Sequence, residues 1–122
     1  MDIRVKRVYR AQRQSDGFRV LVDRLWPRGL TKERMRLDWW AKELAPSTEL
    51  RHWYHHEAER WEEFTRRYAR EIDQNGEAVA SLLARAREGP VTLLYAAKDE
   101  ERNNAVALKS YLEARAKEQG AR

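Results

Sequence analysis

The chain of 122 residues has no cysteine. It can therefore form no disulfide, offer no thiolate nucleophile and supply no thiolate metal ligand, a composition that suits a reducing compartment. Glycine and proline are also sparse, at five and three residues, and the glycines are scattered. That spacing excludes a phosphate-binding loop of the Walker type, a dinucleotide fingerprint and a Gly-x-Ser-x-Gly nucleophile elbow. No apolar run is long enough to span a membrane. Where a signal peptide would carry an apolar block, the N-terminus alternates aliphatics with Asp2, Arg4, Lys6 and Arg7. The expectation is a cytoplasmic protein with no membrane partner. Histidine occurs only at positions 52, 55 and 56, so imidazole chemistry is confined to one short stretch.

A chain of this length is expected to form a single domain, residues 1–122, with a substantial core. Five Trp and five Tyr bring large apolar bodies whose polar tips need partners when buried. The net charge of +5 is unevenly spread. Residues 1–36 hold eleven Lys and Arg against four acids, while the remaining 86 residues hold fourteen against sixteen. A basic N-terminal third favours anionic partners, either phosphate esters or nucleic acid, and equally serves a solvated surface.

Alternation over residues 3–9 predicts a strand with one wet face. Asp16-Gly17 is a turn signal ahead of the apolar run Phe18 to Val22, a second and more buried strand. The linker between them is too short for an ordinary helical crossover, so spacing alone suggests antiparallel strands. Thr31 is placed to cap a short helix over 32–36, with Leu30 and Met35 as its hydrophobic staple. Residues 37–46 read as a loop that buries Trp39 or Trp40, and Ser47 as the cap of another short helix. Trp61, Phe64, Tyr68 and Ile72 recur at helical spacing up to Asn75-Gly76, and Val79, Leu82, Leu83 and Ala86 repeat the pattern over 77–88. Val91 to Ala97 is apolar throughout, as in a strand covered on both faces. A last helix carrying Ala105, Leu108, Leu112 and Ala116 fades into a polar tail, 117–122. Strands separated by helices predict an α/β fold, a three-layer type of sandwich with a small, largely parallel sheet.

In such sheets ligands bind beyond the carboxyl ends of the strands. Two loops qualify, Asp23 to Gly29 and Lys98 to Asn104. If their strands are neighbours, Asp23, Arg24, Arg28, Lys98, Asp99 and Asn103 surround one crevice. Arg24, Arg28 and Lys98 would hold an anion, Asp23 or Asp99 would move protons, and Asn103 would orient the ligand. The same residues have structural uses: Asp23 as an acceptor of backbone N–H groups, Asp99 or Asn103 as a helix cap, Leu25 and Trp26 as packing. His52 and His56 would share a face on one unbroken helix, but the zinc-protease pattern needs Glu after the first His and the chain has Trp53. No metal and no cofactor are expected. The competing class is a nucleic-acid-binding or accessory module using Arg4, Lys6, Arg7, Arg10, Arg13 and Arg19 with Tyr9 and Phe18.

Val22 to Leu30, Glu43 to Ser47, Leu50 to Phe64 and Val91 to Glu101 together resemble the YeaO-like family of small bacterial proteins, a branch of a larger family of domains of unknown function. The resemblance covers nearly the whole chain. It implies a compact α/β fold and an Asp-x-Arg loop matching Asp23 and the neighbouring arginines, and it brings no substrate with it. The family often has Asp-Pro where this chain has Glu57-Ala58, which implies a helix break there. Some members of the larger family carry Cys-His-Arg after the last strand, where this chain has Lys98 to Asn104.

Overall fold

A computed structural model describes residues 1–120. Four strands, β1 (Ile3–Arg7), β2 (Phe18–Leu21), β3 (Trp39–Trp40) and β4 (Val91–Tyr95), form one sheet in the order β1-β4-β2-β3, every pair parallel. Five helices accompany it: α1 (Lys32–Met35), α2 (Thr48–Tyr54), α3 (Trp61–Asp73), α4 (Gly76–Glu88) and α5 (Asn104–Gly120). The fold is α/β, as the alternation of strands and helices predicted. Of the expected polar tail, residues 121 and 122 lie outside the described residues.

The expected antiparallel pairing of the first two strands is incorrect. β1 and β2 are not neighbours; each pairs in parallel with β4, which lies between them. A parallel return needs reach rather than a helix. The ten residues 8–17 between the strands can extend to roughly 33 Å, about twice the length of a five-residue strand. Along the way Lys6 Nζ donates to the Ala11 carbonyl, 2.7 Å, and a 3₁₀ turn over Gln14–Asp16 delivers the chain to β2. Residues 37–46 also depart from the expected loop. Trp39 and Trp40 pair with Val20 and Leu21 as a two-residue edge strand, too short to leave a periodic signature.

Strand alternation divides the core into two unequal layers. Val20, Val22, Leu93 and Tyr95 face α2 to α5, where Phe64, Tyr68, Ile72, Leu82, Leu83, Leu108 and Leu112 complete the main core. Leu21 and Leu94 face the other side and meet Val8, Met35, Trp26 and Trp40. The second layer is covered only by α1 and loops. It also contains buried charge: Arg19 is 2% exposed and Asp16 5%. Arg19 Nη1 donates to Asp16 Oδ2 at 2.5 Å while its Nε and Nη2 reach the Met35 carbonyl at 3.1 and 2.8 Å, and Lys6 Nζ binds both Asp16 oxygens at 2.9 and 3.0 Å. The expected caps form: Thr31 Oγ1 accepts from Arg34 N and Ser47 Oγ from Leu50 N. Glu71 of α3 in turn accepts from Ser47 N and Oγ, at 2.8 and 2.6 Å, tying α2 to α3.

Candidate functional site

β2 and β4 are adjacent and parallel, so their carboxyl ends release the loops 22–31 and 96–103 side by side. A crevice of about 460 Å³ opens there, within the size range of small-molecule sites. Asp23, Arg24, Leu25, Trp26, Pro27 and Arg28 form one wall, Ala96, Ala97, Asn103 and Asn104 a second, and Arg51, His52, Tyr54, His55, His56 and Phe64 a third. Tyr54 and Phe64 are buried and lie stacked with ring centroids 4.5 Å apart. Arg28, Arg51 and the three histidines are exposed, and so stand at the mouth.

Asp23 is the one acid among the described residues lining this crevice. Its Oδ2 accepts from the Ala96 N–H at 2.9 Å and its Oδ1 from Asn104 Nδ2 at 3.0 Å. Trp40 Nε1 donates to its backbone carbonyl, 2.8 Å, and Asn104 Nδ2 also reaches the Val22 carbonyl, 2.8 Å. Four bonds thus pin the β2 terminus to β3, β4 and α5, which is why the loop starts from a fixed point. Burial pushes the Asp23 carboxyl above its ordinary range; the hydrogen bonds from Asn104 and Ala96 and the charge of Arg51 offset only part of that.

The other expected site residues divide between this crevice and its surroundings. Arg24 lines the crevice but leans on the polypeptide, its Nε 3.3 Å from the Pro46 carbonyl and its Nη2 3.5 Å from that of Ala45. Arg28 lines it with an exposed side chain, while its backbone carbonyl accepts from Tyr9 Oη at 3.0 Å. Asn103 lines it and also caps α5, its Oδ1 accepting from Val106 N at 2.9 Å and its Nδ2 donating to the Asp99 carbonyl at 2.9 Å. Lys98 and Asp99 stand apart. Lys98 lines a neighbouring depression with Arg7, Tyr9, Arg10 and Glu100. Asp99 is exposed, and the N–H groups of Arg102 and Glu101, at 3.0 and 2.9 Å, hold its carboxyl below the usual range.

Two groups of residues need further comment. His52 and His56 do not share a helix face, because α2 ends at Tyr54 and both His55 and His56 adopt left-handed backbone, φ 44° and 55°. The helix breaks just before Glu57-Ala58, where the family resemblance implied a break. Among the described residues no group of three or more His, Asp or Glu could hold a metal ion. The basic N-terminal residues are largely spent on internal partners. Arg4 pairs with Asp2, Lys6 and Arg19 with Asp16, and Arg10 with Glu100, while Arg7 Nε donates to the Ala97 carbonyl.

Arg51 is a lining residue that sequence reasoning missed. Its neighbourhood, Arg51-His52 followed by His55-His56, is a visible basic cluster, but only the packing of α2 against α3 aims it at the β2 and β4 ends. Asn104 was missed for a similar reason: beside Asn103 it looks like a second cap, and its bond to Asp23 spans 81 positions.

No solved structure matches the chain. It is 46% identical over 112 residues, 92% of this chain and 97% of the relative, to the uncharacterized protein YeaO of Escherichia coli (strain K12). The uncharacterized protein Rv3073c of Mycobacterium tuberculosis (strain ATCC 25618 / H37Rv) is 42% identical over 113 residues, 93% of this chain and 95% of that protein. The family model that matches, over residues 2–122, is DUF488-N3i, described as the inactive DUF488-N3 subclade, and the chain belongs to that family.

Proposed function

We propose that the crevice at the β2 and β4 ends binds a small phosphorylated, nucleotide-like anion, and that the protein acts by binding it rather than by transforming it. The observation that carries this reading is the charge of the mouth. Arg28 and Arg51 are exposed there beside three imidazoles, with Asp23 the one acid among the described lining residues. Guanidinium groups suit phosphate oxygens by bidentate hydrogen bonding. Binding without turnover is supported by the description of the family as inactive and by the geometry of Asp23, whose two oxygens are engaged by Ala96 and Asn104. The nucleic-acid alternative draws little support, since Arg4, Lys6, Arg10 and Arg19 are paired with acids.

A thermal-shift screen of inorganic phosphate, sugar phosphates, nucleotides and carboxylates tests the reading. A ligand at 100 times its dissociation constant adds about 2.7 kcal/mol of stability. At least one phosphorylated compound should raise the Tm of the native protein, and Arg28→Ala or Arg51→Ala should remove the shift. A screen without a phosphorylated hit would refute it.

A further inference from the structure

The crevice has a cationic mouth, yet a carboxylate sits at its inner end, where β2 and β4 terminate. Among the described residues Asp23 makes no salt bridge; its two bonds come from the neutral donors Ala96 N–H and Asn104 Nδ2. A carboxylate has about four acceptor positions, so each oxygen keeps acceptor capacity beyond its one bond. A ligand that carried only phosphate would leave this acceptor unused and would bring like charge towards it. One with N–H donors at one end and an anion at the other meets both features. The walls between are aromatic, with Trp26, Tyr54 and Phe64 lining the space, and a planar ring is the body that such walls accommodate. A volume of about 460 Å³ admits a ring, a sugar and one phosphate.

On the reading of the crevice as a phosphate-binding site, we infer that its ligand is a guanine nucleotide, with the paired N–H donors of the base edge on the Asp23 carboxylate and the phosphate on Arg28 and Arg51. Guanine presents a ring N–H and an exocyclic amino group side by side, which matches two carboxylate oxygens. Adenine and cytosine place a ring acceptor next to their amino group and set a lone pair against Asp23. Hypoxanthine keeps the ring N–H and loses the amino donor. The same pairing logic gives Asp23 a selectivity role without any proton transfer. It also predicts how selectivity changes in Asp23→Asn, since an amide offers one donor and one acceptor, the complement of the xanthine edge.

Titration calorimetry of the full chain with GMP, IMP, AMP, XMP, ribose 5-phosphate and inorganic phosphate decides the matter. GMP should bind at least tenfold more tightly than AMP or ribose 5-phosphate, with IMP between, and Asp23→Asn should lower affinity for GMP and raise that for XMP. Equal affinity for GMP, AMP and ribose 5-phosphate would overturn the base assignment while leaving the phosphate site standing. Binding of none of the six would remove both. The nucleotide panel on the native protein does not depend on the variant folding, and a variant that folds but weakens all six compounds equally would also overturn the assignment.

Discussion

β2 has an aspartate and a glycine near each end, and the two ends are built in opposite ways. Ahead of the strand, Asp16 is enclosed by Lys6 and Arg19, its backbone carbonyl accepts from buried Thr92 at 2.7 Å, and a Cβ added at Gly17 would lie 2.2 Å from the Pro90 carbonyl oxygen. Beyond the strand, Asp23 has only neutral donors among the described residues, and a Cβ at Gly29 would meet nothing within 4 Å. The carboxyls respond accordingly. Burial raises Asp16, but hydrogen bonds from Lys6, the Arg13 N–H and Arg19 outweigh it and leave that group below its ordinary value, whereas Asp23 stays above. One end closes the fold and the other opens on the crevice.

The largest expected effect breaks the closed end. Arg19→Met removes the cation that is 2% exposed beside Asp16 and strips the Met35 carbonyl of both its guanidinium donors; with Lys6 still on Asp16, the loss should be about 3 kcal/mol, the low end for truncating one partner of a buried pair. Urea denaturation should show that loss, against a change within about 0.5 kcal/mol for Arg28→Ala at the open end. The glycines sharpen the contrast. Both have positive φ, 66° for Gly17 and 78° for Gly29, so alanine is strained at either, by about 1–3 kcal/mol. Only Gly17→Ala adds a clash with backbone, and its midpoint should fall well below that of Gly29→Ala.

A smaller effect separates the aspartates by pH. Asp16 has a lowered folded pKa, so its stabilisation is present above the unfolded carboxylate value and is lost as pH falls through the folded one. Asp23 has a raised folded pKa, so its stabilising proton is held below the unfolded value and the benefit is lost as pH rises through the folded one. From pH 3 to 7, the stability of Asp16→Asn relative to the native chain should therefore fall with rising pH, and that of Asp23→Asn should rise. Denaturation curves collected across that range give both slopes.

The open end was the more legible of the two in the sequence. An apolar run stopping at Asp23 and followed by Pro27 and Gly29 marks a strand end from local chemistry alone, and the capping residues Thr31 and Ser47 are equally local. What could not be read depends on contacts distant in sequence. β4 inserts between β1 and β2 from 88 and 73 positions further along the chain, Val91 pairing with Ile3 and Phe18, and β3 is two residues long. Asp16 looked like an ordinary turn residue because its partners, Arg19 three positions on and Lys6 ten before, are buried with it only once β1 and β2 have taken their places on either side of β4. Lys98 and Asp99 followed the correct strand, but the loop turns them away from the crevice, and the third wall, Arg51 to His56, is set by α2 docking on α3.

Asp23→Asn most directly tests whether the open end serves a ligand rather than the fold. Thermal unfolding of this variant and of the native chain should be compared at pH 7, with and without GMP. The account predicts unliganded stability within about 1 kcal/mol of native, because the substitution removes a desolvated charge and keeps an acceptor for Ala96, which offsets the lost bond from Asn104 Nδ2, itself still donating to the Val22 carbonyl, together with a diminished GMP shift. A loss as large as that of Arg19→Met, or an unchanged GMP shift, would contradict it.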